Sequence, residues 1–426
     1  MNIRWLSWLT LCLAPMLAAQ PHTAPWTAFG PGSSPTDALV ARVDTNGMLR
    51  TVFPRSSLPL DNQVWGGTVD IDNATSIAII SSTVYPAAML FIDPSGSVQK
   101  SLAISPAMPG AGYLQDIVLD DDGTFLVVRG PGNTVPAALL RVSRSGSVTT
   151  VFSSAAVPRP RSIVLDGDTG DYYLAESLSR RLVQVSRDGG GVTSLGTWPT
   201  SFWHERISYQ IRTGMILHPE FVGAGPFSIW QMTPGGTVST YVTIPSSLAI
   251  LDVRPDRSSA RSERMFATTH QLSGTFYLID DASRSVTSLR SGGAPGQSLV
   301  PPREVASCRT APGQWEFRLH FEGQPKQPFA MAFSLAGMRP GMVLSDGRKI
   351  LLQPDVLTYL SLSGRLDPVL TGNLGVLDPD GRAVVLLDLQ NAPSLTGFNL
   401  FGLAVTLDPS APVGLRTIAD PIRIRL

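Results

Sequence analysis

Residues 161–195 read RSIVLDGDTGDYYLAESLSRRLVQVSRDGGGVTSL, and they decide the fold. Apolar and β-branched runs (Ser162–Leu165, Tyr172–Ala175, Leu182–Val185, Val192–Leu195) are separated by turns rich in Asp, Gly and Ser. Such runs are too short for helices and predict four strands in succession, joined as hairpins. The second half of this unit recurs along the chain. Copies read LVARVDTNGMLRTVF from Leu39, MLFIDPSGSVQKSL from Met89, LLRVSRSGSVTTVF from Leu139, IWQMTPGGTVSTYV from Ile229 and TFYLIDDASRSVTSL from Thr275. The last turn residue falls at Gly47, Gly96, Gly146, Gly189, Gly236 and Ser283, giving steps of 49, 50, 43, 47 and 47 residues. Further strand pairs precede the later copies, as in GGTVDIDNATSIAIISS from Gly66 and LQDIVLDDDGTFLVV from Leu114.

Six repeats of four strands predict an all-β chain whose first domain is a six-bladed β-propeller. A single blade cannot bury both of its faces, so blades must stack and the ring must close. The first copy is preceded by one strand only, WTAFGPG from Trp26. The N-terminal stretch therefore brings three strands of a blade, and the missing innermost strand is expected from residues 297–306.

The best-formed unit, Asp166 to Gly189, resembles the NHL-type blade also found in the senescence-marker/gluconolactonase-like superfamily. Glu176 stands at that blade's usual acidic position and Arg181-Leu182 at its basic–apolar pair. The resemblance spans residues 25 to 306 and implies the propeller fold; such propellers host enzymes and passive binders alike. The lactonase metal site of those relatives uses a Glu on the first blade, then Asn and Asp on others. Here the first blade opens Val64-Trp65-Gly66-Gly67 without a Glu, and Asn62 and Asn133 fall in loops.

After Pro301-Pro302 the period stops. Residues 307–426 are read as a C-terminal β-sandwich, with strands at 315–321, 329–336, 349–352, 357–362, 383–389, 395–407 and 418–426. In the last strand Ile422, Ile424 and Leu426 alternate with Arg423 and Arg425, which predicts buried isoleucines and exposed arginines. This run resembles an uncharacterised all-β domain appended to secreted bacterial proteins.

Residues 1–19 read as a signal peptide: Arg4, the 13-residue apolar run Trp5 to Leu17, then Ala18-Ala19 before Gln20. A run of that length falls short of the ~20 residues that span a bilayer. The propeller is then expected over 20–306, in a protein exported to the periplasm or beyond. With the leader removed, Cys308 is the sole cysteine, so the cores must hold without a disulfide. Formal net charge is zero, with lysine only at 100, 326 and 349, which excludes the basic footprint of a nucleic-acid binder.

Chemistry is sparsely signalled. The chain carries no G-x-S-x-G elbow, H-E-x-x-H, C-x-x-C or phosphate-binding glycine loop. The carboxylates Asp166, Asp168 and Asp171 have spacing suited to a hard cation such as Ca or Mg, as do Asp120-Asp121-Asp122. An EF-hand-type loop counted from Asp166 would need Glu where Ser177 stands. Asp and Gly also make plain hairpin turns. Projecting the repeats onto a propeller places Tyr113, Gln115, Arg161, His204 and Glu205 at the starts of inner strands. Arg129, Glu176, His218, Glu220 and His270 fall at the ends of second strands. Of these, Arg129, Glu176, His204, Glu205, His218 and His270 are the candidate ligand-binding residues, because imidazole and carboxylate serve as metal ligands and as acid/base groups. Two functions are expected to compete. One is a secreted, monomeric binding or surface-scaffold module for a small molecule, glycan or protein, with no cofactor. The other is a metal-dependent lactonase-like hydrolase or lyase with one divalent cation in the funnel.

Overall fold

The computed structural model describes residues 26–29, 38–43, 49–54, 57, 63–72, 75–81, 87–105, 113–132, 136–153, 155–200, 206–220, 225–246, 249–255, 264–269, 275–281, 283–291, 298–300, 303–390 and 397–426. The leader, the Pro301-Pro302 step, Asn62, Asn133, His204, Glu205 and His270 lie outside them. Two units emerge: one of Pro25–Asp256 and Glu263–Pro302, and one whose described residues run from Arg303 onward.

The first unit is the propeller: six four-stranded antiparallel sheets. The second blade runs Gln63–Val69, Ser76–Ser81, Ala87–Ile92, Val98–Ser105, and the third Leu114–Leu119, Phe125–Arg129, Ala138–Val142, Val148–Phe152. The fourth is Pro160–Leu165, Tyr172–Glu176, Arg181–Val185, Val192–Thr197, and the fifth Ser208–Gln210, Met215–Pro219, Phe227–Met232, Val238–Ile244. The sixth is Ile250–Pro255, Arg264–Thr269, Thr275–Asp280, Val286–Ser291. The remaining blade joins the two ends of the unit. Ser298–Val300 pairs with Trp26–Phe29, followed by Ala38–Val43 and Leu49–Pro54, so the late strand does supply the missing innermost position. Blade-to-blade burial drives the assembly. Leu126, Val128 and Leu139 of the third blade pack with Ile163, Tyr172, Leu174 and Val183 of the fourth. Leu217, Ile229 and Val242 of the fifth pack likewise with Val253, Met265 and Ile279 of the sixth.

The repeated turn glycine has two physical reasons. Gly96, Gly189 and Gly236 have φ of +89°, +78° and +84°, where a side chain is strained. A Cβ at these positions would also lie 2.0, 1.8 and 2.0 Å from the carbonyl oxygens of Val52, Val151 and Leu195. Each of those belongs to the outer strand of the preceding blade. The outer hairpins are bulged at one equivalent position, between Leu139/Leu140, Leu182/Val183, Ile229/Trp230 and Phe276/Tyr277, which twists an exposed edge away from foreign strands.

The second unit is the expected β-sandwich. One sheet has the order Val305–Ala311, Gln314–His320, Arg382–Asp388, Leu370–Thr371. The other has Leu374–Val376, Pro328–Ser334, Asn399–Leu407, Leu415–Ile418, with Ile422–Arg425 also on Asn399–Leu407. Trp315, Phe317 and Leu387 from the first meet Phe329, Met331, Phe333 and Leu400 from the second; the Phe317 and Phe333 rings lie 5.1 Å apart.

Three expectations need correction. The boundary at 306/307 cuts through a strand, since Val305–Ala311 is paired along its length (Val305↔Leu319 to Ala311↔Gln314) and opens the sandwich. Residues 357–362 are not a strand. Val356–Leu362 is a helix, because Asp355 accepts from Thr358 N at 2.9 Å while Thr358 Oγ1 accepts from Asp355 N at 3.2 Å, a reciprocal cap that the apolar run concealed. The expected last strand is broken by Asp420-Pro421 into two, since Pro421 has no N–H to give a ladder. Within it Ile424 is buried as expected, yet Arg423 is buried too and reaches Asn399 Oδ1 at 3.3 Å.

Candidate functional site at the inner-strand starts

The inner strands of four blades begin with a β-bulge, between Val64/Gly66, Leu114/Asp116, Pro160/Ser162 and Ile250/Asp252. A bulge re-aims the side chain that follows it. The residues set this way are Gly66, Asp116, Ser162 and Asp252, each four positions before Asp70, Asp120, Asp166 or Asp256; the fifth-blade equivalent, four before Gln210, is Arg206. They form one ring position of the central channel.

Asp116 and Arg206 are buried there, at 1% and 3% exposure. Asp116 Oδ1 accepts Ile117 N at 2.8 Å and pairs with Arg206 Nη1. Its Oδ2 accepts Ser162 Oγ at 2.7 Å and Ile163 N at 3.1 Å. Ser162 Oγ in turn accepts Ile207 N at 3.2 Å, and Arg206 Nη2 donates to the Gln115 carbonyl at 3.2 Å. The guanidinium also lies on Gly66, where a Cβ would stand 1.8 Å from Nη2. The second and fifth blades are three apart in a ring of six, so this side chain crosses the channel. Residues from four blades thus meet in one charge-paired knot, and a Cβ at position 66 would displace the guanidinium from its place in it. Asp252, fully buried, pairs with Arg254 Nε at 2.9 Å.

At the opposite ends of the same strands, carboxylates tie blade to blade. Asp70 holds Arg144 of the third blade through Nη1 at 2.6 Å and Nη2 at 2.5 Å. Asp120 holds Arg187 of the fourth at 3.0 Å and its own blade's Arg141 at 3.1 Å. Burial raises the Asp120 carboxyl to about 6, against the opposing pull of Arg187.

Similar ties engage the carboxylates expected to hold a cation. Asp166 accepts Asp168 N at 2.9 Å, Thr169 Oγ1 at 2.8 Å, Tyr173 Oη at 2.8 Å and Tyr209 Oη at 3.1 Å. Burial and that carboxylate push both phenols up in pKa, which keeps them protonated donors. Asp171 takes Gln184 Nε2 at 2.9 Å and Arg187 N at 3.2 Å. Asp166, Asp168 and Asp171 therefore do not gather as a cation cage, nor do Asp120-Asp121-Asp122; Asp122 serves Thr124. No cluster of three His, Cys, Asp or Glu suited to a metal occurs among the described residues.

The other candidates separate. Glu176, fully buried, folds its carboxylate onto Leu178 N and Ser179 N, both at 2.8 Å, and onto Ser179 Oγ. Its role is to shape the turn after the second strand. Glu220 accepts Ser228 N at 2.9 Å across its hairpin. His218 is fully buried, with its ring 5.1 Å from Trp198 and Nε2 3.5 Å from Thr200 Oγ1. Burial lowers its pKa to about 3, so the imidazole is neutral. Tyr113 stays exposed, and Arg161 donates to Gln115 Oε1 at 2.8 Å. Arg129 is half-buried and donates to the Pro136 carbonyl at 3.2 Å.

Asp116 and Arg206 were not among the expected residues. Arg206 directly follows His204-Glu205, but nothing in composition signals that it turns inward to Asp116.

No family model matches the chain. A curated protein, the SWI5-dependent HO expression protein 3 of Lachancea thermotolerans, is 29% identical over 136 residues, covering 30% of this chain and 32% of that one. The chain thus spans about a third of that relative's length. Among solved structures, a protein of unknown function from Bacteroides caccae aligns at TM-score 0.49 and 14% identity over 66% of this chain and all of that one. A nidogen/laminin complex gives TM-score 0.47 and 13% identity, covering 65% and 95%. A candidate gluconolactonase gives 0.44 and 14%, covering 63% and 92%. No residue role or activity passes to this chain at such identities. Its own strand order establishes an all-β protein, a six-bladed propeller followed by a sandwich.

Proposed function

We propose that the protein is an exported binding or surface-scaffold module that presents the propeller face at the inner-strand starts to a ligand. The observation that carries this reading is the Arg206–Asp116–Ser162 knot. It fills the channel with side chains that satisfy one another, where a hydrolytic funnel would hold groups poised for a substrate. Glu176 and Glu220 are engaged in local turns, and His218 is sealed beside Trp198, which supports a structural use of these groups. Export follows from the leader-like residues 1–19; among the described residues no helix is long and apolar enough to cross a membrane.

The test is metal analysis with activity assays on the chain from Gln20. After dialysis against a chelator-free buffer the expected metal content is well below one ion per chain, with no lactone hydrolysis. Stoichiometric metal that is lost in His204→Ala, together with hydrolysis that falls by orders of magnitude, would replace this reading with the lactonase-like one.

A further inference from the structure

Several arginines inside this propeller come with counter-charges. Arg141, Arg187, Arg206 and Arg254 each face a carboxylate within an ion pair. Arg129 is not among them. It ends the second strand of the third blade, opposite Leu114, at the same level as the inner-strand starts. Among the described residues its hydrogen bond runs from Nη2 to the Pro136 carbonyl, Nε has none, and no carboxylate pairs with it. Burial without a compensating charge holds its guanidinium below the usual arginine pKa. A half-desolvated cation that lacks an anion is costly unless something supplies one.

The neighbouring groups fit an incoming anion. Gln115 is the bulged residue of the inner strand, and its side chain lies over Gly130, where a Cβ would sit 3.1 Å from Nε2. Its Oε1 accepts Arg161 Nη1 from the fourth blade at 2.8 Å. Gln115 thus links the Arg129–Gly130 corner to a second guanidinium. Asp116, next to Gln115, is already committed to Arg206 and Ser162. Arg206 reaches from the fifth blade to Gly66 of the second, which leaves the mouth as the place where an anion is met.

We infer that Arg129, linked through Gln115 to Arg161, receives the oxyanionic group, carboxylate or phosphate, of a small solute at the channel mouth. A planar guanidinium matches either group through paired N–H donors. This rests on the binding face proposed above, but it has its own failure mode: an Arg129-dependent anion site would survive even if the protein proved to be a hydrolase.

The experiment is calorimetric titration of the chain from Gln20 with inorganic phosphate and with D-glucuronate at constant ionic strength, with D-glucose as the uncharged control. Saturable binding of phosphate or glucuronate, and none of glucose, is expected; which anion binds tells phosphate from carboxylate. Arg129→Gln should weaken it at least tenfold and Arg129→Lys by less, since the charge stays and the fork is lost. Both variants should melt as the parent does in the absence of anion, because Arg129 pairs with no carboxylate. No saturable anion binding in the parent, or equal affinity in Arg129→Gln, would overturn the inference.

Discussion

The seams between blades are built in two ways. At the seams into the second, fourth and fifth blades, a glycine turn presses backbone against backbone: Gly96 on Val52, Gly189 on Val151, Gly236 on Leu195. At the seam into the sixth blade Ser283 replaces the glycine, and the left-handed residue is Arg284, with φ of +57°. There the gap is filled by side chains. The Arg284 guanidinium stands 3.7 Å over the Tyr241 ring and bonds Asp281 at 2.7 Å, while Gln210 Nε2 reaches Asp281 at 2.8 Å. Where Asp70 and Asp120 offer a carboxylate from the inner strand to an arginine in the next blade's turn, the sixth seam reverses the polarity. Its inner strand offers an amide and its turn a carboxylate. One ring therefore tolerates two solutions, provided each seam buries its gap and pairs its charges.

The largest loss is expected at the glycine seams. Gly189→Val combines a strained φ with a contact 1.8 Å from the Val151 carbonyl, so the blade must shift. A loss of about 3–5 kcal/mol is expected, the range of buried overpacking with backbone strain. Ser283→Val, at the equivalent turn of the sixth blade, forfeits the Ser283 Oγ bond to Asp280 at 2.7 Å and should cost only about 1 kcal/mol. Urea unfolding of the two variants decides it; equal losses would mean that the glycine does not define the seam.

The channel knot should behave as a third kind of junction, spanning blades that are not neighbours. Arg206→Met leaves Asp116 buried with its charge uncompensated, at an expected cost of about 3–5 kcal/mol. The Arg206→Met, Asp116→Leu pair should recover much of that loss, since an apolar replacement of a buried pair is often nearly neutral. A double-mutant cycle measures the coupling. Additive losses would show that the two side chains act separately.

His218 gives a pH dependence confined to the fifth blade. Its folded pKa, lowered to about 3 by burial, lies below the ordinary imidazole value near 6.5. The unfolded chain therefore binds the proton first. The contribution is intact above about pH 6.5 and declines as pH falls toward 3, at up to about 1.4 kcal/mol per pH unit. His218→Phe should flatten that decline in melts taken between pH 7 and pH 5. An unchanged slope would place the acid sensitivity elsewhere.

Much of this architecture is legible in the residues. The turn glycines at 96, 146, 189 and 236 mark both the hairpin and the seam, because one constraint on φ and one on space fall on the same position. Ring closure is legible because a lone strand at Trp26 demands a partner. The site is less so. Asp116 is aimed by a bulge, and a bulge is a property of pairing register, which alternation in one strand does not specify. For the same reason Glu176 and His218, correctly placed at second-strand ends, turn out to serve a turn and an aromatic packing layer. The helix at Val356 was hidden because Leu357, Tyr359, Leu360 and Leu362 suit either periodicity over so short a run, and only the Asp355–Thr358 cap distinguishes them.

The smallest effect tests the chemistry of the sixth seam itself. Arg284 is 42% exposed, so its pairing with Asp281 is screened by solvent and contributes little on its own. The contact with Tyr241 is less sensitive to screening, because the guanidinium covers the ring face and excludes water from it. Replacing Arg284 with Gln removes both and should cost about 0.5–1 kcal/mol. Tyr241→Phe keeps the ring and loses only the hydroxyl that donates to Asp281, so the coupling between positions 284 and 241 should persist in that background. Raising salt from 0.05 to 1 M separates the two contributions, since screening weakens the ion pair and leaves the ring contact. A loss in Arg284→Gln that vanishes entirely at high salt would show that the seam is held by charge alone. It would then be of the same kind as Asp70–Arg144, and the distinction between the two seams would reduce to the absent glycine.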